Sequence, residues 1–256
     1  MIFTIAGKEL RSLFASPLAW VVLAGTQLIM GYWFLRLVED FLDRQAQFIH
    51  LPNPPGVTEL VAAQLFATTG GLLLFAIPIL AMRLVAEERR NQTMVLLVSA
   101  PVSMTDIVLG KFLGLMAFLL VIIGLIALMP LSLAFSTRLD YGLLSSLVLG
   151  LALLAACFSA VSLFASCLTT HPILAALGGF AILLGSLLVG SIAEEGLQVR
   201  GVRVPASLVR VLAPMKNFEP LGRGLLDSYA IACSLLLMML FLALAIRQLD
   251  SARWRG

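Results

Sequence analysis

The sequence predicts an all-α, polytopic membrane protein with six transmembrane helices and an amphipathic helix at its N-terminus. Three observations carry this. Of the 256 residues, 61% are hydrophobic and only 12% are charged, against about 45–50% and about 25% in a soluble domain. The apolar residues gather into six runs, each close to the roughly 20 residues that cross a bilayer. The charges and prolines gather between them. So much apolar surface cannot be buried inside one small soluble domain. A soluble enzyme, a disordered chain and a nucleic-acid-binding domain are therefore excluded. The net charge of +3 is ordinary for a membrane protein.

At the N-terminus, Ile2, Ala6, Leu10 and Leu13 recur at helical spacing with Phe3 and Phe14 beside them. Thr4, Lys8, Arg11 and Ser12 fall on another face. Residues 1–16 read as an amphipathic helix in the membrane interface; a frayed tail is the alternative that spacing leaves open. Ser16-Pro17 turns the chain into the first span, Pro17–Val38, whose Tyr32 and Trp33 suit an interfacial anchor. This run is too long for a signal peptide and offers no small-residue cleavage site. A loop broken at Pro52-Asn53-Pro54-Pro55-Gly56 leads to the second span, Leu60–Ala86. The third is Ile107–Phe135, the fourth Leu143–Thr170, the fifth Ile173–Ile192 and the sixth Tyr229–Leu249. Only His171-Pro172 separates the fourth from the fifth, because proline lacks an N–H and clashes with the preceding turn. Within the external segment 193–228, Pro205–Ala213 fits a short helix closed by Pro214, dipping into the outer leaflet or capping the spans. A solvated loop fits that pattern equally.

Placing both termini in the cytoplasm puts nine Lys and Arg residues inside and eight outside. Five of the eight lie in 193–228, and without that segment the bias is nine to three, which favours termini inside. The two histidines, His50 and His171, have no metal-ligand partner at helical spacing, and no HExxH occurs. Cys157, Cys167 and Cys233 lie in apolar runs with no CxxC, which indicates free structural thiols. No P-loop motif is present, since Gly110-Lys111 continues into Phe112 and position 105 is not glycine. The centres of the spans lack acidic and basic groups, while glutamine and threonine occur at Thr26, Gln27, Gln64, Thr68 and Thr69. That weighs against an ion-coupled carrier. It leaves the energy source outside the chain.

The densest polar stretch lies between the second and third spans. Glu87, Glu88, Arg89 and Arg90 prolong the second span, and Thr93–Val98 reads as a short amphipathic helix ended by Pro101. Ser103–Asp106 can cap the third span. Gly110 and Gly114 form a small-xxx-small pair that permits close helix packing. The run Glu87-Glu88-Arg89-Arg90-Asn91-Gln92-Thr93-Met94, with Leu97, Ala100-Pro101-Val102-Ser103 and Gly110-Lys111, resembles the EExxxGTxexLLtxPvs…GK signature of ABC-2-type transporter permeases. Asn217-Phe218-Glu219-Pro220-Leu221-Gly222-Arg223-Gly224-Leu225-Leu226-Asp227 and the tail Leu249–Trp254 resemble the gliding-motility and nitrous-oxide-reductase-maturation branch. Gln92 departs from the signature, which has glycine there, so a turn with positive φ is less easy.

The resemblance implies one transmembrane domain over 1–256 that acts as a permease subunit in a bacterial inner membrane, not itself an enzyme. It implies two separate ABC ATPase subunits, which hold the ATP and Mg, and a second permease copy or homologue. Segment 87–106 then couples to the ATPase through Glu87, Glu88, Arg89, Arg90, Thr93, Met94, Leu97 and Pro101. The chain needs no cofactor of its own, meets membrane lipid and binds no nucleic acid. Two roles stay open: an exporter, or an assembly that uses ATP to act on a periplasmic maturation or motility partner without passing a solute.

Overall fold

The structure, a computed structural model, describes residues 1–48, 56–92, 103–135, 137, 139–195, 198–199, 202–203 and 211–253. Among the described residues it is all-α apart from one two-residue ladder. Helix α1 (Ile2–Phe14) precedes α2 (Pro17–Phe48). Helix α3 runs Thr58–Arg90, with a regular middle, Ala63–Ala81, between two π-helical turns, Thr58–Ala62 and Arg83–Glu87. Helices α4 (Met104–Ser132), α5 (Tyr141–Leu168) and α6 (Pro172–Glu195) follow. Strands β1 (Gln198–Val199) and β2 (Val202–Arg203) pair antiparallel, and α7 (Pro214–Gly222) leads to α8 (Ser228–Arg253). Six of these helices, α2 to α6 and α8, are long and apolar enough to cross a membrane.

Local chemistry sets the ends. The Ser103 hydroxyl accepts from the Asp106 N–H and donates to its carboxylate, which caps α4 as the sequence predicts. Asp140 caps α5 by accepting from Gly142 and Leu143 N–H. Helix α2 outlasts its expected end by ten residues. Arg36–Glu39 and Arg44–Asp40 pair along its polar end, at helical spacing that supports continued helix. Val211 is helical and the chain leaves helix at Leu212 and Ala213, so Pro214 follows one helix end and opens the next helix. It sits at N1 of α7, where its missing N–H costs nothing. Of the short helix expected over Pro205–Ala213, residues 205–210 lie outside the described residues.

Helix α5 is the axis of the bundle. Of its most apolar stretch 72% is buried, against 17% for α2 and 22% for α6, so those two present most of their surface outward. Helices α3, α4, α6, α7 and α8 all pack on α5. Short α7 is sunk into the bundle. Phe218 and Leu221 press onto Gly150 of α5, where a Cβ would stand 2.9 Å from Leu221 Cβ, and Ser146 Oγ donates to the Leu221 carbonyl. Gly224, at φ +78°, then turns the chain toward α8, and the Asp227 side chain accepts from Tyr229 N–H. The second motif read from the sequence is therefore the elbow before the last span.

Helix α1 has the expected amphipathic pattern, but its inner face lies on α4. Contacts advance in step along both helices. Ile5 meets Gly110 and Glu9 meets Gly114, with Cβ distances of 2.7 Å if either glycine carried one. The Phe14 ring then stands edge-on to Phe118 at 5.2 Å. Helix α2 continues along α4, with Gln27 Nε2 donating to the Ile122 carbonyl at 3.3 Å. The Trp20 indole donates to the Phe14 carbonyl across the break between α1 and α2. Gly110 and Gly114 are thus the seat of the N-terminal helix.

Gly114→Leu and Gly110→Leu should each unseat α1 and cost about 1–3 kcal/mol by overpacking. Faster proteolysis within residues 1–16 and a lower unfolding midpoint in detergent are the measurements. Gly7→Ala is the control: a Cβ there meets nothing within 4 Å, so the midpoint should not fall.

Candidate functional site

The site lies where α1, α3, α4 and the end of α5 meet. Lys111 follows Gly110 on α4, one turn before Gly114, and its side chain is fully buried. An ammonium cannot stay charged in such a place without counter-charge. Two carboxylates supply it. Lys111 Nζ lies 2.9 Å from Glu9 Oε1 on α1 and 2.8 Å from Glu88 Oε2 on α3. Lys8 stands at the rim, 3.6 Å from Glu88 and 3.8 Å from Glu9, so two ammonium groups face two carboxylates. A polar cavity of about 180 Å³ opens beside them between α1 and α3, lined in part by Ser12, Ser16, Arg83, Glu87 and Asn91.

The neighbouring charges are also fastened. Arg83 pairs with Glu87 at 2.6 Å, one turn on, and donates to the Ser16 hydroxyl at the start of α2. Arg89 donates to the Cys167 carbonyl at the end of α5, at 2.9 Å. The π-turn between Arg83 and Glu87 has a partner of its own. Ser166 Oγ accepts from the N–H groups of Val85 and Ala86, at 3.3 and 3.1 Å, and donates to the Met82 carbonyl. A π-turn changes which backbone groups pair within the helix, and the serine meets two of those donors. Helix α3 ends at Arg90, and Gln92 takes φ +57°, the left-handed conformation that follows many helix ends. The residue that departs from the glycine pattern adopts the conformation for which glycine is favoured.

Of the charged residues predicted here, Glu88 points to Lys111, Glu87 to Arg83 and Arg89 to α5, while Arg90 is exposed. Thr93, Met94, Leu97 and Pro101 lie outside the described residues. Gly110 and Gly114 are brought to the site through α1. Sequence reasoning missed Glu9, Lys111 as a buried base, and Ser166. A signal existed for Glu9: with Ile2, Ile5, Ala6, Leu10 and Leu13 it falls on the apolar stripe of α1, where a solvated carboxylate does not belong. Of the polar residues in the spans, Thr26 and Thr69 are buried and bond to carbonyls of their own helices, whereas Gln64 is exposed and Thr68 half-exposed on α3. Among the described residues no group of three or more metal-binding side chains occurs.

The arrangement joins α1, α3, α4 and α5 through ion pairs and hydrogen bonds. It is a mechanical joint, in which one helix extension is clamped from two sides by ion pairs and backbone hydrogen bonds. The profile of the ABC-2 family transporter proteins matches residues 3–247, nearly the whole chain. The chain belongs to this family. It is an integral membrane permease subunit of an ABC transporter, and its partner is an ABC ATPase subunit. No curated protein matches closely enough to count as a relative. In this ABC-2 permease the clamped extension is the part of α3 that leads directly into the segment expected to meet the ATPase.

Lys111→Met should leave Glu9 and Glu88 buried against no internal base and cost about 3–5 kcal/mol, the price of breaking a buried pair. Glu9→Gln and Glu88→Gln added to Lys111→Met should recover most of that loss, because the triple variant buries no charge. Chemical unfolding of the three proteins in one detergent checks both outcomes.

Proposed function

We propose that this permease pairs with a second copy or a homologue and exports a substrate across the bacterial inner membrane, powered by two ATPase subunits that bind ATP and Mg. Both termini and residues 87–106 face the cytoplasm, and 193–228 faces outward. Thr93–Val98 docks in a groove of the ATPase, with Met94 and Leu97 making the apolar contact and Pro101 fixing the end of the helix. Glu88 and Arg89 hold the extension to the bundle, Glu87 pairs with Arg83 within it, and Arg90 is exposed toward the ATPase.

One observation carries the reading. The extension Arg83–Arg90 is bound to α1 and α4 through Glu88 and Lys111, and to α5 through Ser166 and the Cys167 carbonyl. A displacement of the docked segment is then delivered to several spans at once. The second copy fits best against the face of α2, α3 and α6, where α2 and α6 are least buried and α3 shows Gln64, Ala67, Phe75 and Ile79 between them. So few polar groups suit a lipidic or hydrophobic substrate better than a small hydrophilic one. The same scarcity favours the second reading, a gliding-motility or maturation type of assembly that works on a periplasmic partner and moves no solute. A substrate-stimulated ATPase in the purified complex separates the two.

Single-cysteine labelling from outside the cell, in a background lacking Cys157, Cys167 and Cys233, should modify position 203 and spare position 97; the reverse pattern inverts the topology. Leu97→Asp should weaken ATPase docking at least about tenfold, because burying such a side chain contributes roughly 1.5–3 kcal/mol and about 1.4 kcal/mol is one decade. Glu88→Ala should still co-purify with the ATPase while activity of the complex falls. Full assembly and full activity of Leu97→Asp would remove the docking assignment.

A further inference from the structure

The second π-turn of α3, Arg83–Glu87, is held open by one atom. In a regular α-helix the Ala86 N–H donates to the carbonyl four residues back, that of Met82. Here the Ser166 hydroxyl stands between the two. It accepts from the Ala86 N–H at 3.1 Å and donates to the Met82 carbonyl at 3.3 Å. It also accepts from the Val85 N–H. Ser166, Val85 and Ala86 are all fully buried, so water does not compete for these bonds. A hydroxyl of α5 thus replaces one rung of the α3 ladder.

A π-turn holds one more residue than an α-turn. If the rung closes, each residue beyond the turn moves into the place its successor now holds, about 100° round the axis and about 1.5 Å along it. Glu87 then leaves Arg83 and takes the place of Glu88 beside Lys111. Because the two acidic residues are adjacent in the chain, the buried ammonium keeps a carboxylate in either register. Glu88 in turn takes the place from which Arg89 donates to the Cys167 carbonyl. A carboxylate has nothing to donate there, which favours the π-turn at rest. From this geometry we infer that Ser166 is a positioning residue that sets the register of the last turns of α3, and that the tandem Glu87-Glu88 lets those turns shift by one residue without uncovering Lys111. That the shift reaches the ATPase rests on the docking proposed above; the two registers belong to this chain alone.

The test uses the full-length permease in detergent, without its ATPase. In the parent, Glu88→Gln should lower the unfolding midpoint more than Glu87→Gln, because Glu88 faces the buried ammonium and Glu87 a partly exposed arginine. In a Ser166→Ala background the rung closes and this order should reverse. Ser166→Thr keeps the hydroxyl and should keep the parent's order. Ser166→Gly also lacks the hydroxyl and serves if Ser166→Ala does not fold. Spin labels read the same change as a distance, in a background lacking Cys157, Cys167 and Cys233. The pairs are Arg90→Cys with Arg11→Cys of α1 and Arg90→Cys with Leu168→Cys of α5, all at exposed positions. A side-chain tip about 5–6 Å from the helix axis moves about 8 Å in a turn of about 100°, so Ser166→Ala should shift at least one pair by about 5 Å. An unchanged order of the two glutamine variants, or both distances equal to the parent's, would overturn the inference and leave Ser166 as a hydrogen-bond partner alone. Neither measurement involves the ATPase, so failure of the docking assignment is a separate result.

Discussion

Burying one ammonium group organises half of this membrane protein. Lys111 has no access to solvent, so α4 can form in the bundle only if two carboxylates are brought to it. One comes from α1 and the other from the end of α3. Three helices thereby acquire a fixed register, because a slip of one residue would turn Glu9 or Glu88 away from the base. The glycines beside Lys111 serve the same end. Helix α1 can reach the lysine only because Gly110 and Gly114 let its backbone come close, with the Ile2 and Ala6 carbonyls 3.1 and 3.0 Å from where their Cβ atoms would be.

Helix α5 organises the other half with serines. Near one end, Ser146 holds the Leu221 carbonyl and so keeps α7 sunk in the bundle. Near the other, Ser166 occupies the π-turn of α3. Hydroxyls suit this work in a membrane: backbone groups that depart from the regular ladder must find a partner in protein, since lipid has none to give. The end of α7 and the second π-turn of α3 are therefore both fastened to the most buried span.

The fold was largely legible because spans are long, apolar and separated by charge, and bilayer thickness limits their length. The elbow before α8 was legible as a motif but not as a shape. A proline marks a break in the sequence, but it does not show that a new helix begins at Pro214 or that this helix sinks onto Gly150 through Phe218 and Leu221. The candidate site was legible as a run of charges, while its partners were not. Glu9 is far from Glu88 and Lys111 in the chain, and periodicity in α1 says which face is apolar without saying whether lipid or protein covers it. Ser166 gave no signal at all, since a serine on an apolar helix reads the same whether or not a neighbour bends toward it.

The joint between Glu9 and Lys111 spans 102 residues of sequence, and that distance has a consequence for biosynthesis. Helix α1 leaves the ribosome before α4, but its seat does not exist until α4 has been made and inserted. For that interval Glu9 must wait at the membrane surface with its carboxylate solvated, and Lys111 must enter the bilayer edge before its counter-charges close around it. Closure of the joint therefore reports that the third span is in place, and a nascent chain halted before α4 carries an N-terminal helix with nowhere to sit.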